Sequence, residues 1–157
     1  MKFKSLILLL IVLLSPVFAH AENPRLILQI TVDQLRGDML PRFGDRLGEG
    51  GFRYLLEIGT VYQDAWFSHA NTMTAVGHAT LATGGNTPEH GMAANDWYDR
   101  TLGRRVNAVE DTQSPFIGGA AGDPSGRSPR HLTSSTFSDE LVLASGGKSR
   151  AFGVSTK

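Results

Sequence analysis

Residues 26–33 read LILQITVD. Five of the first seven are apolar and most of those are branched, and the run ends on an aspartate. A short apolar run of this kind predicts a buried strand, central and parallel, because a strand covered on both faces loses the strict alternation of a half-exposed one. Asp33 then stands just past the carboxyl end of that strand, where open α/β sheets bind their ligands. Further along, residues 36–46 form a charged connection with one proline and two glycines. Residues 52–58 (FRYLLEI) carry apolar side chains at helical spacing, with Gly59 as the stop. Residues 60–67 (TVYQDAWF) predict a second strand. Residues 74–83 predict a helix of small residues closed by Gly84 and Gly85.

Residues 87–99 carry turn signals and predict a loop, and residues 104–109 a short edge strand. Residues 112–129 predict a second loop, long enough for a functional loop or an insertion. Residues 137–144 (FSDELVLA) predict a helix ended by Gly146 and Gly147, and residues 150–155 (RAFGVS) another buried strand. Strands alternating with helices define an α/β class with a mostly parallel sheet flanked by helices. The last strand has no return element after it, so the expected architecture is incomplete and the sequence reads as an N-terminal fragment.

The first 21 residues read differently. Lys2 and Lys4 precede a run of leucine, isoleucine and valine, and Ala19-His20-Ala21 follows as a small-residue cleavage pattern. That order is a secretory signal peptide, and the apolar run is short for a membrane span. Residues 22–157 are then the expected mature portion, 136 residues with a net charge of −2. This balance argues against binding a nucleic-acid polymer. With no cysteine in the chain, disulfides and thiolate metal sites are excluded. Any metal must be held by carboxylate, imidazole or hydroxyl groups. The expected setting is exported, periplasmic or secreted, with no membrane span after cleavage. Oligomeric state is left open.

Several residues carry candidate chemistry, each beside a plainer reading. Asp33 suits a divalent metal, and also a turn or helix cap. Thr74, at the start of the small-residue helix, faces backbone N–H groups that favour an anion. A threonine hydroxyl becomes a nucleophile only with a base or metal beside it, and otherwise reads as an N-cap. The Asn95 amide can donate to a phosphoryl oxygen or simply make a turn. Lys157 can place a point charge on phosphate or lie solvated. His78, one helical turn from Thr74, is read as structural. His69 and His90 are given no role.

Five blocks, ITVDQLRGDML, NTMTAVGHATLATGGNTPEHGM, ANDWYD, SPRHLTSSTFSDEL and AFGVSTK, taken in order, resemble the alkaline phosphatase superfamily. The resemblance is to its type I phosphodiesterase/nucleotide pyrophosphatase branch and, within that, to bacterial periplasmic phosphate-irrepressible alkaline phosphatases. It covers essentially all of residues 22–157. It implies the N-terminal part of an alkaline-phosphatase-like sandwich. It also implies that Asp33 and Thr74 are metal ligands, Thr74 the nucleophile, and Asn95 and Lys157 the groups that hold the phosphoryl. Thr74 lies 41 residues after Asp33, and Asn95 and Lys157 lie 21 and 83 residues after Thr74, as the resemblance requires. The cofactor implied is two zinc ions, whose other ligands would lie beyond this sequence. The expected activity is hydrolysis of small-molecule phosphate monoesters through a phospho-threonine. Phosphodiester or pyrophosphate hydrolysis, or an inactive phosphate-binding fragment, are the alternatives.

Overall fold

The structure, a computed structural model, describes residues 24–120 and 126–155. The expected signal peptide and Lys157 therefore lie outside the described residues. The chain divides into two units, Met1–Ile30 and Thr31–Lys157. In the first, residues 24–30 have no regular secondary structure, and Leu26, Leu28 and Ile30 are each about 70% exposed or more.

In the second unit the element order is helix α1 (Met39–Arg42), a 3₁₀ turn (Gly44–Arg46), α2 (Phe52–Ile58), α3 (Thr74–Thr83), α4 (Thr87–His90), strands β1 (Asp96–Asp99) and β2 (Arg104–Asn107), and α5 (Phe137–Ala144). Helices α2 and α5 span the residues that their apolar spacing predicts, and α3 spans the small-residue stretch expected to be helical. Helix α3 ends where Gly84 takes a left-handed φ of 72° that a side chain would resist. Helix α5 starts with a capping box, in which Thr136 accepts from Asp139 N–H and the Asp139 carboxylate accepts from Thr136 N–H.

Three expectations are corrected. Residues 36–46 are not merely a connection, since α1 and the 3₁₀ turn lie within them. Residues 87–99 are not merely a loop. Asn86 and Glu89 form a capping box with Pro88 in the first turn, which is sufficient to start α4, and the same stretch then supplies β1. Finally, the apolar runs 26–32, 60–67 and 150–155 join no ladder among the described residues. The one sheet there is the antiparallel pair β1–β2, with Trp97 opposite Val106. Branched residues favour extended backbone, but a ladder also needs a neighbouring strand to take the N–H and C=O groups.

The core is small and sits under α3. Ala79, Met92 and Ala108 are buried together, with Ala75, Trp97 and Leu132 packed on them. Alanine at 75 and 79 lets the segments carrying Met92 and Ala108 lie close to the helix. The His131 ring meets Trp97 edge-on at 5.1 Å, and its Nδ1–H donates to Ala108 C=O at 3.1 Å. This ties His131 to β1 and to the residue that follows β2.

Candidate active site

Thr74 is the first residue of α3. The residue before it, Met73, is the N-cap and has no capping side chain. The cap comes from 20 residues away, where Asn95 Oδ1 accepts a 2.8 Å hydrogen bond from Ala75 N–H. The main chain of Asn95 is itself held. Its C=O accepts from Ala108 N–H at 2.9 Å and from Asn107 Nδ2 at 3.1 Å. Since an N–H only donates, the Asn95 amide has one orientation, with its oxygen on the helix and its NH₂ turned the other way.

Asp33 reaches the same place from the other side. Thr74 Oγ1 donates to Asp33 Oδ1 over 3.4 Å, long for a hydroxyl–carboxylate hydrogen bond, which usually spans about 2.5–3.0 Å. The next residue, Gln34, has φ of 59°, a left-handed conformation uncommon without glycine and recurrent at functional sites. The plainer reading of His78 agrees with its geometry. Its Nδ1–H donates to Thr74 C=O at 2.8 Å, within its own helix, and makes no hydrogen bond to the Thr74 hydroxyl.

Asp33, Thr74, His78 and Asn95 line one open cleft of about 1230 Å³, with Arg127 and Ser155 also on its wall. Three of the four residues expected to carry the chemistry thus share one cavity, and the fourth, Lys157, lies outside the described residues. Arg127 is a cation on the wall that the sequence does not single out, because nothing local marks it.

That wall is tied down by Asp111. Its carboxylate accepts from Ser128 Oγ at 2.6 Å, Ser114 Oγ at 3.0 Å, Gln113 N–H at 3.0 Å and Arg130 Nη1 at 3.3 Å. The Ser128 hydroxyl first, then the Gln113 N–H, hold its pKa down at about 2. Residues 109–111 and 126–128 are joined by backbone hydrogen bonds from Asp111 N–H to Gly126 C=O and from Ser128 N–H to Val109 C=O.

A metal ion fits this arrangement in part. Two oxygen ligands on one tetrahedral zinc, each at about 2.0–2.2 Å, stand roughly 3.4 Å apart, which is the Asp33–Thr74 separation. Both are oxygen donors, but zinc wants about four ligands. Among the described residues no group of three or more His, Cys, Asp or Glu is placed to hold a metal. Asp33 and Thr74 are two oxygen donors at that spacing.

The sequence profile described as type I phosphodiesterase / nucleotide pyrophosphatase matches residues 27–155. The chain belongs to that family. It is 38% identical over 135 residues to alkaline phosphatase PafA of Elizabethkingia meningoseptica, covering 86% of this chain and 25% of that protein. The crystal structure of wild-type PafA superimposes with a TM-score of 0.72 over 80% of this chain and 24% of that one, at 38% identity. A PafA variant with one threonine, one asparagine, one lysine and one arginine substituted gives a TM-score of 0.73 at 37% identity, with the same coverage. The fold is the N-terminal part of the alkaline-phosphatase-like architecture, as expected. The chain spans about a quarter of the length of the relatives it matches.

Proposed function

We propose that this sequence forms the nucleophile-bearing part of a zinc-dependent phosphate monoester hydrolase, with Thr74 as the nucleophile. The observation that carries the reading is the convergence of Thr74, Asp33 and Asn95 on one cleft at the start of α3. The substitutions in the PafA variant support it. The asparagine and lysine substituted there lie 21 and 83 residues after the substituted threonine, the separations of Asn95 and Lys157 from Thr74.

The chemistry follows from the groups. The Thr74 oxygen attacks phosphorus, the bond to the leaving alcohol breaks, and a phospho-threonine forms. Water then attacks the same phosphorus, releasing inorganic phosphate and returning the hydroxyl. Two zinc ions, when bound, would supply Lewis acidity that lowers the hydroxyl pKa and screens phosphoryl charge. Asp33 and Thr74 are the residues here that would hold one of them. The Asn95 NH₂, its oxygen engaged by Ala75 N–H, donates to a nonbridging oxygen, and the first turn of α3 adds the favourable end of its dipole. Lys157 adds a point charge best matched to the terminal phosphoryl of a monoester, so monoesters are preferred. The family description favours a second reading, diester or pyrophosphate hydrolysis.

Export follows from the leader at residues 1–21. No helix among the described residues is long and apolar enough to cross a membrane. The substrate is a small phosphate ester. The test is Thr74→Ala in the full-length gene product, assayed with zinc on an aryl phosphate monoester and the matching diester. The expected loss is about a thousandfold or more, with the monoester the better substrate of the unaltered protein. Undiminished turnover would remove Thr74 as nucleophile, and a diester preference would favour the second reading.

A further inference from the structure

His90 is fully buried, and no step above uses it. Its Nδ1 accepts a hydrogen bond from Met92 N–H at 3.1 Å. A ring nitrogen that accepts from a backbone N–H carries no proton, so His90 is neutral and its proton is on Nε2. That Nε2–H faces Thr80 Oγ1 at 3.1 Å and donates to it. Thr80 Oγ1 lies 3.0 Å from His69 Nε2. His69 Nδ1 is 2.8 Å from Asn71 C=O, which can only accept, so Nδ1 bears the proton. In neutral His69 this leaves a lone pair on Nε2, and the Thr80 hydroxyl donates into it. The result is a one-way chain, from Met92 N–H through His90, Thr80 and His69 to Asn71 C=O.

The chain ends on the residue that seats the nucleophile. Asn71 Oδ1 accepts from Met73 N–H at 3.3 Å, and its Nδ2 donates to Ala93 C=O at 2.6 Å. Met73 is the N-cap of the helix that begins with Thr74, and Ala93 lies two residues before Asn95. Asn71 thus bridges the two strands of chain that carry Thr74 and Asn95, and the His69 end of the relay holds Asn71.

We propose that His90, Thr80 and His69 form a positioning relay that fixes Thr74 relative to Asn95. As a claim about turnover this rests on the reading of Thr74 as nucleophile. None of the three touches substrate, and they act through the Asn71 bridge. Thr80→Val keeps the shape of the side chain and removes the hydroxyl, whereas Thr80→Ser keeps the hydroxyl. His69→Phe removes both ring hydrogen bonds while retaining an aromatic ring beside Phe67, whose centroid is 5.0 Å from that of His69. His69 is only partly buried, so this second variant keeps the test open if Thr80→Val does not fold.

In the full-length protein, Thr80→Val and His69→Phe are each expected to lower kcat by about 10- to 100-fold, the scale of a small misplacement of reacting groups, with KM within about twofold. Thr80→Ser should restore most of kcat. The double variant Thr80→Val/His69→Phe should be no worse than either single one. In an Asn95→Ala background, Thr80→Val should cost much less than in the parent. Unchanged kcat in folded single variants overturns the relay, as does a loss that is undiminished in the Asn95→Ala background. A second readout stands apart from activity. Nitrogen-15 histidine spectra of the full-length protein, and of its Thr74→Ala variant, should show His90 as the Nε2–H tautomer and His69 as the Nδ1–H tautomer. A charged or opposite form at either ring also overturns it. If Thr74→Ala remains active while both tautomers are as expected, the reading of Thr74 as nucleophile fails and the hydrogen-bonded chain stands.

Discussion

Helices α2 and α3 invite comparison, because both span the residues expected to be helical and both stop at a glycine. Their surroundings differ. Helix α3 buries Val76 completely and Ala79 nearly so, and side chains from residues up to 41 positions away bond to it. Helix α2 buries nothing. Tyr54, Leu55 and Ile58 are each more than half exposed, and its Arg53 donates to Gly44 C=O. Spacing determines whether a helix forms and which face is apolar. It does not determine what covers that face. Stability in this chain is therefore expected to be concentrated around α3 and the segments that serve it.

The largest expected effect breaks the tie behind the cleft wall. A Cβ on Gly126 would collide with Asp111 C=O and stand 2.7 Å from Ser114 C=O, both main-chain oxygens with little freedom to yield. Gly126→Ala should cost about 3 kcal/mol in urea unfolding, and a neutral result would mean that this wall adds nothing to the stable half. Next, Val76→Ala should cost about 2 kcal/mol, since a fully buried side chain is cut back beside an otherwise filled core. A third test uses acid. The pKa of Asp111 is held at about 2, below the usual carboxylate range. Its contribution is therefore complete above about pH 4 and is lost as pH falls toward 2. Asp111→Asn should flatten the decline in melting temperature over that window, and an unchanged slope would place the acid sensitivity elsewhere. The smallest effect belongs to α2. Leu55→Ala should change the stability of the chain by no more than about 0.5 kcal/mol, and a cost equal to that of Val76→Ala would erase the contrast between the two helices.

The same contrast explains how much could be read from sequence. Three helices were legible to the residue because periodicity and glycine stops are local. Asp33, Thr74 and Asn95 could be singled out from the sequence, and they do share a cleft. Helix α4 was missed although Asn86 and Glu89 carry its start signal, because four residues show no periodicity. The capping of α3 by Asn95 was illegible for a different reason. The two residues meet only through a hairpin, β1–β2, that brings Ala108 N–H to Asn95 C=O. His69, Thr80 and His90 gave no sign of a common purpose, since their linkage depends on the packing of α4 against α3. The apolar runs 26–32, 60–67 and 150–155 were read as strands from their own side chains, whereas ladder membership depends on a neighbour.

The Asn95 carboxamide has a consequence for selectivity. An unrestrained amide on a cleft wall can turn over and greet a guest with either pole, hosting a cation one moment and an anion the next. This one is keyed, because turning over would set its NH₂ against Ala75 N–H, two donors face to face. The cleft therefore meets every visitor at that point with the same polarity. A donor pole of this kind suits an electron-rich oxygen and repels a cation.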